Sequence, residues 1–597
     1  MIKLSHLLSL LALLFVVAGC GNDAPTEENT TEATPKYSTE NTVYARLPAE
    51  PDRINPLITT NTYSRAVYEN IFLYLLDFDH QTFELTPQLA KARPEINEIT
   101  SGPFAGGVAY TYEIHDEAVW DNGTPITGED VAFTLKILFN PKVNAGPARS
   151  YLDFIRDIEI DATNPKRFTI STAQKYIIGE AAISNVPIYP AYIYDANGLL
   201  NDISLVDLTD PAKQASLETT YPQLQEFANI FNSDEFARNK GKVMGAGPYT
   251  LESWETGQQI ILNRKKDWWG DQLTATNELM AARPDQVVYK IITDQTATVA
   301  ALKDQLIDVT AQIDVKDFID LQANELVTDN YNLYAPNALQ LYYIGLNTKD
   351  PKLQDKRVRR AITHLVDVDQ IIEELFYGLG ERRIGPVAPS KPYFNEALKP
   401  IAFSVARAKA LLEEAGWVDS NSNGVVDKEI DGEQVELEID FLATSNGKFG
   451  NNLAQLLEVT FPQAGVKLNI DRVEFTVLYE QLKTRTFEMF AGAWAQDPTP
   501  DDFKQIWHTD SDNPNGTNRV GFGSAASDDL IDQIRVTLDE EERAGLYKSF
   551  QQMVYEEQPY IFLFAPKERL AIHKRFKADP SSLRPSFFPR EFELKAD

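Results

Sequence analysis

The stretch Asp419-Ser420-Asn421-Ser422-Asn423-Gly424-Val425-Val426-Asp427 places side-chain oxygens at its first, third, fifth and ninth positions and glycine at its sixth, the spacing of a calcium loop. Its twelfth position is Ile430, so the bidentate carboxylate is missing, and a solvated Asn/Gly hairpin turn is the alternative reading. Ser445-Asn446-Gly447-Lys448 fits the S-x-x-K of penicillin-recognising serine enzymes, but its Asn-Gly pair reads as a turn and not as a helix start. No HExxH, GxSxG or Walker A lysine loop occurs. His6, His80, His115, His364, His508 and His573 are scattered without an i, i+4 pair. A nickel site would need ligands gathered in space, or a metal arriving as a chelate. These residues give no reason to expect catalysis, a resident metal or a cofactor.

Cys20, the only cysteine, excludes internal disulfides and thiolate zinc clusters. It follows an apolar run from Leu7 to Val17, interrupted only by Ser9, and the small residues Ala18-Gly19. The run falls short of the roughly twenty residues that span a bilayer and has a charged start, so it reads as a signal peptide over residues 1–19. Cysteine at that boundary resembles the lipobox of bacterial lipoproteins, in which the Cys sulfur is acylated and the chain is then cut before it. The expected mature chain therefore starts at a lipidated Cys20, its only attachment to a membrane. Gly21 leaves inner- or outer-membrane sorting open. Residues 20–41, rich in Glu and Thr and nearly devoid of apolar side chains, read as a disordered tether.

The elements that must position any site lie beyond Thr42. With 597 residues, 43% apolar and 11% aromatic, the chain has material for more than one core. Its 88 carboxylates against 56 Lys and Arg, a net charge of −32, speak against nucleic acid and against docking on anionic lipid. Strand-like and helix-like segments alternate without repeats, which means α/β. Tyr110–His115 alternates like a half-buried strand. Thr127-Gly128-Glu129-Asp130 opens a helix as a capping box. Asp355 caps a helix carrying Val358, Ala361, Ile362, Leu365 and Val366 with Gly378 as its stop, and Ser404 starts another that ends at Gly416.

Several blocks in order resemble one family, the family 5 extracytoplasmic solute-binding proteins of ABC importers. They are Glu50-Pro51-Asp52-Arg53-Ile54-Asn55-Pro56 with Val67-Tyr68-Glu69-Asn70-Ile71-Phe72; Tyr110 to Ile114 with Val119-Trp120-Asp121-Asn122-Gly123-Thr124-Pro125; Gly245-Ala246-Gly247-Pro248-Tyr249 with Trp268-Trp269; Tyr343 to Thr348 with Lys356 to Ile362; Ala410 to Trp417; and Pro559-Tyr560-Ile561-Phe562-Leu563. The resemblance implies an α/β, two-lobed periplasmic-binding-protein-like fold of type II, in the large class with an extra subdomain, whose lobes are joined by two hinge crossings. The first lobe is expected at 42–338 and 556–597, with its subdomain at about 80–235, and the second lobe at 339–555.

The resemblance also implies a site. In the family an Asp shortly after a Trp, at the end of a strand of the second lobe, takes the α-ammonium of a peptide; Trp494-Ala495-Gln496-Asp497 matches, making Trp494, Ala495 and Asp497 ligand-binding candidates. Asp497 as a mere cap of the turn into Pro498 is the plainer alternative. The loop Thr60-Asn61-Thr62-Tyr63 corresponds to the segment that runs antiparallel to the ligand, so Asn61, Thr62 and Tyr63 would contribute backbone contacts. Arg485 is a candidate for the ligand's carboxylate or else an exposed strand-entry residue. Oligopeptide members carry an Arg where this chain has Ala491, which departs from their arrangement.

The function this implies is a lipid-anchored, non-enzymatic, monomeric receptor that captures a short peptide or peptide-like ligand outside the cytoplasm and delivers it to an ABC permease. A non-peptide solute (nickel chelate, opine, oligosaccharide) and a peptide receptor or chaperone without import remain as alternatives.

Overall fold

The structure, a computed structural model, describes residues 37–514 and 516–596. The expected signal peptide, Cys20 and most of the expected tether lie outside the described residues. Among those described, no helix is long and apolar enough to cross a membrane.

The first lobe is built on a seven-stranded sheet in the order Tyr331–Tyr334, Leu570–His573, Val309–Thr310, Thr42–Leu47, Gln286–Ile291, Gln259–Arg264, Tyr249–Glu255. Thr42–Leu47 runs parallel to both neighbours and is buried along nearly its whole length, as a central strand covered on both faces must be. A separate four-stranded antiparallel sheet, Glu95–Glu98, Val108–Glu113, Arg167–Thr172 and Ile155–Ile160, forms the inserted subdomain. Its strand Val108–Glu113 begins two residues before the segment expected from alternation, and buries every second side chain.

The second lobe has a six-stranded sheet in the order Gly380–Arg382, Tyr560–Pro566, Gln340–Leu346, Met489–Ala495, Glu438–Thr444, Lys467–Val473. Tyr560–Pro566 pairs with Gln340–Leu346 along this sheet. The chain re-enters the first sheet only at Leu570, so the second crossing falls at 567–569 and not at the expected 556. Seven buried residues in succession at 560–566 suit a central strand of either sheet, which is why the pattern did not place the boundary. The two crossings touch: Ala338 N donates to Pro566 O at 2.9 Å and Glu568 N to Pro336 O at 2.8 Å.

Helix starts follow the capping residues. Thr127 accepts the Glu129 N–H at 3.3 Å while Asp130 accepts the Thr127 N–H at 2.8 Å, closing the capping box of helix Gly128–Phe139. Ser404 caps Val405–Glu414, and Gly416 follows at φ +87°. The single helix expected after Asp355 is two, Lys356–Thr363 and Val368–Phe376. Asp367 accepts the Gln370 N–H at 3.1 Å and starts the second, leaving Leu365 and Val366 buried in the corner between them.

Candidate functional site

Strands Glu438–Thr444, Lys467–Val473 and Met489–Ala495 are parallel, so their carboxyl ends point the same way. Carboxyl ends of parallel strands are where α/β sheets leave room for ligands. Met489–Ala495 runs past its neighbour, since Leu442 already pairs with Phe490, and it delivers Trp494 to Asp502 to the space between the lobes.

Trp494 is half-buried, its ring 4.6 Å from Tyr343 and 5.4 Å from Tyr560. The Tyr343 ring can cross the strand there because residue 492 is glycine: a Cβ would stand 2.5 Å from Tyr343 Cζ. Ala495 is exposed and pairs with Gln340. Asp497 is exposed too; its Oδ1 accepts the Thr499 N–H at 2.9 Å and the Thr499 hydroxyl, so it does cap a turn. Its Oδ2 has no hydrogen bond among the described residues. Capping and ligand binding are therefore compatible at this carboxylate.

Trp494 and Asp497 line a cavity of about 200 Å³ whose opposite wall is Tyr176 and Ile178 of the inserted subdomain. Asp501 and Asp502 share it, and among the described residues no Lys or Arg lines it. Burial pushes the Asp501 carboxyl up, with Lys391 and then a hydrogen bond from Tyr393 pulling the other way. Tyr393 donates to Asp501 Oδ2 at 3.0 Å, Tyr547 donates to the Asp501 carbonyl at 2.6 Å, and the two phenol rings stack at 4.0 Å. Lys391 holds the Thr499 carbonyl. The loop is thus pinned by Tyr393, Tyr547 and Lys391.

A second support stands between the two expected ligand residues. Gln496 Oε1 accepts from Arg383 Nη2 at 2.7 Å, Gln496 Nε2 donates to Pro386 O at 2.7 Å, and Gln496 N donates to Leu339 O at 2.9 Å. Arg383 is 4% exposed, its Nε and Nη1 lack hydrogen-bond partners, and the nearest carboxylate, Glu381, is 3.9 Å away. Burial holds its guanidinium below the usual arginine range.

The other two expected positions lie outside this cavity. Asn61, itself extended, caps helix Thr62–Tyr68, accepting the N–H groups of Tyr63 at 2.8 Å and Ser64 at 3.3 Å. The Tyr63 N–H is thus taken by Asn61 Oδ1, and the Tyr63 hydroxyl donates to Gln312 Oε1 at 3.4 Å. Arg485, expected as a cation for the ligand's carboxylate or as an exposed strand-entry residue, is half-buried and does not line the cavity that holds Asp497. It ends helix Phe475–Thr484 at φ +55°, donates to the carbonyls of Arg519 and Asn518 at 2.9 Å each, and pairs with Asp512. It sits before Met489–Ala495, whereas Asp497 follows that strand.

The calcium-like loop closes on itself. Asp419 accepts the N–H groups of Asn423 at 3.1 Å and Gly424 at 2.9 Å, and Asp427 accepts the Ser420 hydroxyl at 2.7 Å. Hairpin strands Asp427–Ile430 and Glu433–Glu436 follow. At S-x-x-K, a turn at Ser445-Asn446 does precede Lys448, but Lys448 also starts helix Lys448–Thr460, and Ser445 donates to Glu474 at 2.8 Å. Among the described residues no group of three or more His, Cys, Asp or Glu could hold a metal ion.

The model for bacterial extracellular solute-binding proteins, family 5 Middle, matches residues 84–516. The chain belongs to this family. Among curated relatives, the oligopeptide-binding protein AppA of Bacillus subtilis (strain 168) is 26% identical over 537 residues, covering 88% of this chain and 86% of that protein. Heme-binding protein A of Haemophilus influenzae is 22% identical, covering 94% of this chain and 93% of its own length. Among solved structures, Bacillus subtilis AppA in complex with a nonapeptide superposes with a TM-score of 0.63 at 22% identity, covering 93% of this chain and 99% of that one. HbpA2 of Haemophilus parasuis superposes at 0.73 with 18% identity, covering 93% and 100%. At these identities the superpositions show the fold, and the fold is the two-lobed one.

In this family 5 chain, sequence reasoning brought Trp494, Ala495 and Asp497 to one cavity and missed Gln496, Arg383, Asp501, Asp502 and Tyr176. The pair Asp501-Asp502 after Pro500 was a legible signal, being two carboxylates close behind Asp497. Arg383 and Tyr176 had none: they meet Gln496 and Asp502 across 113 and 326 residues.

Proposed function

We propose that this chain is a lipid-anchored receptor, tethered through Cys20, that captures short peptides between its lobes and presents them to an ABC permease. The observation that carries this is the interlobe cavity: an aromatic wall at Trp494 and, among the described residues, a carboxylate oxygen of Asp497 without a hydrogen bond and no lining cation. Such a cavity suits one end of a chain that carries an ammonium group and apolar or neutral groups behind it. An ammonium on that carboxylate forms a charge-assisted bond that a neutral ligand cannot replace. Kinship with the oligopeptide-binding AppA supports the same ligand class.

Delivery follows from two-lobed closure. A ligand touching both lobes stabilises the closed form by its differential affinity, and a permease that recognises that form receives loaded protein preferentially. Calorimetry with a library of short peptides, alongside a nickel chelate, an opine and an oligosaccharide, tests the ligand class. Binding of peptides is expected; tight binding of one of the others with no peptide binding would overturn it.

A further inference from the structure

Between the lobes, one carboxylate oxygen takes two donors, one from the subdomain and one from the second lobe. Asp502 Oδ2 accepts the Tyr176 hydroxyl at 2.9 Å from the subdomain and Arg535 Nε at 3.0 Å from the second lobe. The Arg535 guanidinium also lies 5.2 Å over the Tyr176 ring. The backbone joins in, with Ile177 N donating to Arg535 O at 2.9 Å. Ile177 and Ile178, 8% and 9% exposed, are buried in the second lobe's own cluster with Phe503, Trp507 and Ile534. Burial, with Asp502 adding to it, raises the Tyr176 phenol far above its ordinary range, so it remains a donor throughout physiological pH.

This clasp stands between two spaces. Tyr176 lines the cavity of about 200 Å³ that holds Asp497, and it also lines a second cavity of about 270 Å³, whose walls include Lys175, Arg535 and Val536. Ordinary ligand sites run from roughly 300 to 1,000 Å³. The inner cavity alone falls below that range, and the two joined fall within it.

We infer that Tyr176, Asp502 and Arg535 set the length of ligand this chain accepts. This rests on the peptide reading above. With the clasp closed, a ligand held at Asp497 ends at the Tyr176 ring; a longer one must part Tyr176 from Asp502 and continue into the outer cavity, at the expense of the hydrogen bonds and the buried contacts of Ile177 and Ile178. Short ligands keep those contacts and are favoured. The closed clasp also contributes lobe-to-lobe contacts of its own, independent of any ligand.

The test is calorimetry of the full mature chain with tri-, hexa- and nonapeptides of alternating lysine and alanine, for wild type, Tyr176→Phe, Tyr176→Ala and Asp502→Asn, together with amide hydrogen exchange at Ile177 without ligand. The wild type should bind the tripeptide at least tenfold more tightly than the nonapeptide. Tyr176→Ala should reduce that ratio severalfold by gaining affinity for the nonapeptide, with Tyr176→Phe and Asp502→Asn in between, and all three should exchange faster at Ile177. Tyr176→Phe removes a single hydroxyl and guards against a folding artefact. An unchanged length ratio, or equal weakening at every length, would overturn the partition while leaving the peptide reading intact. No binding of any peptide by any of the four proteins would overturn both.

Discussion

Arg383 donates to Gln496 Oε1 at 2.7 Å, and Gln496 passes the connection on to the Pro386 carbonyl at 2.7 Å. A neutral amide standing between Trp494 and Asp497 is therefore tied to a buried guanidinium one residue past the edge strand Gly380–Arg382 of the same sheet. Asp497 keeps its position because the residue before it cannot rotate without leaving buried polar groups unpaired.

Gln496→Ala should therefore act on stability and on ligand affinity together. It leaves the Pro386 carbonyl and a third Arg383 nitrogen without partners, and a buried group left unsatisfied costs about 1–3 kcal/mol. Urea unfolding should show a loss in that range, and calorimetry a weakened ligand.

Arg485→Ala should separate the two quantities. Arg485 serves the carbonyls of Asn518 and Arg519 and the carboxylate of Asp512, away from the cavity. A stability loss of about 1–3 kcal/mol with ligand affinity within twofold of wild type is expected; a tenfold affinity loss would return Arg485 to the site.

Asp130→Asn should change how stability depends on pH. Burial pushes the Asp130 carboxyl up from 3.8 to about 6, against the hydrogen bonds from Thr127 N–H and the Trp120 indole that favour its charged form. The folded state then holds the proton longer than the unfolded chain does. This group's contribution is fully present below the unfolded value of 3.8 and is lost as pH rises through about 6. The shift corresponds to about 3 kcal/mol at most. Measured by urea unfolding, Asp130→Asn should gain on the wild type between pH ~4 and ~7 by up to that amount, and a constant difference would contradict the assignment.

Cys20→Ser should abolish labelling of the chain by radioactive palmitate in its host and move it from the membrane fraction to the soluble one. Retention in the membrane without label would refute the anchor.

The sequence carried local structure well wherever one residue decides it: Thr127, Asp355 and Ser404 begin helices because their side chains cap them. Trp494 and Asp497 entered through the family resemblance, and lying three residues apart at one strand end they line one cavity. The sequence failed where chain neighbours are held apart by regular structure. Arg485 and Asp497 flank the seven-residue strand Met489–Ala495, which spans roughly 20 Å. It failed also where partners are joined by topology alone. Arg383 meets Gln496 because each directly follows a strand of one sheet, Gly380–Arg382 and Met489–Ala495, and Tyr176 meets Asp502 because the subdomain closes on the second lobe. At Asn61 the loop gives way to a capped helix, a start that Asn side chains favour locally through their own hydrogen bonds.

The central claim is that Asp497 receives the ligand's ammonium group, and calorimetry of wild type and Asp497→Asn with one short peptide in free and N-acetylated forms tests it most directly. Asparagine keeps the Oδ1 that caps Thr499, so the turn should persist. The free peptide should lose about tenfold or more on substitution, in line with the roughly 1.5–3 kcal/mol of a hydrogen bond to a charged group, while the acetylated one, already weak, should change little. Equal losses for both forms, or none for either, would contradict the account.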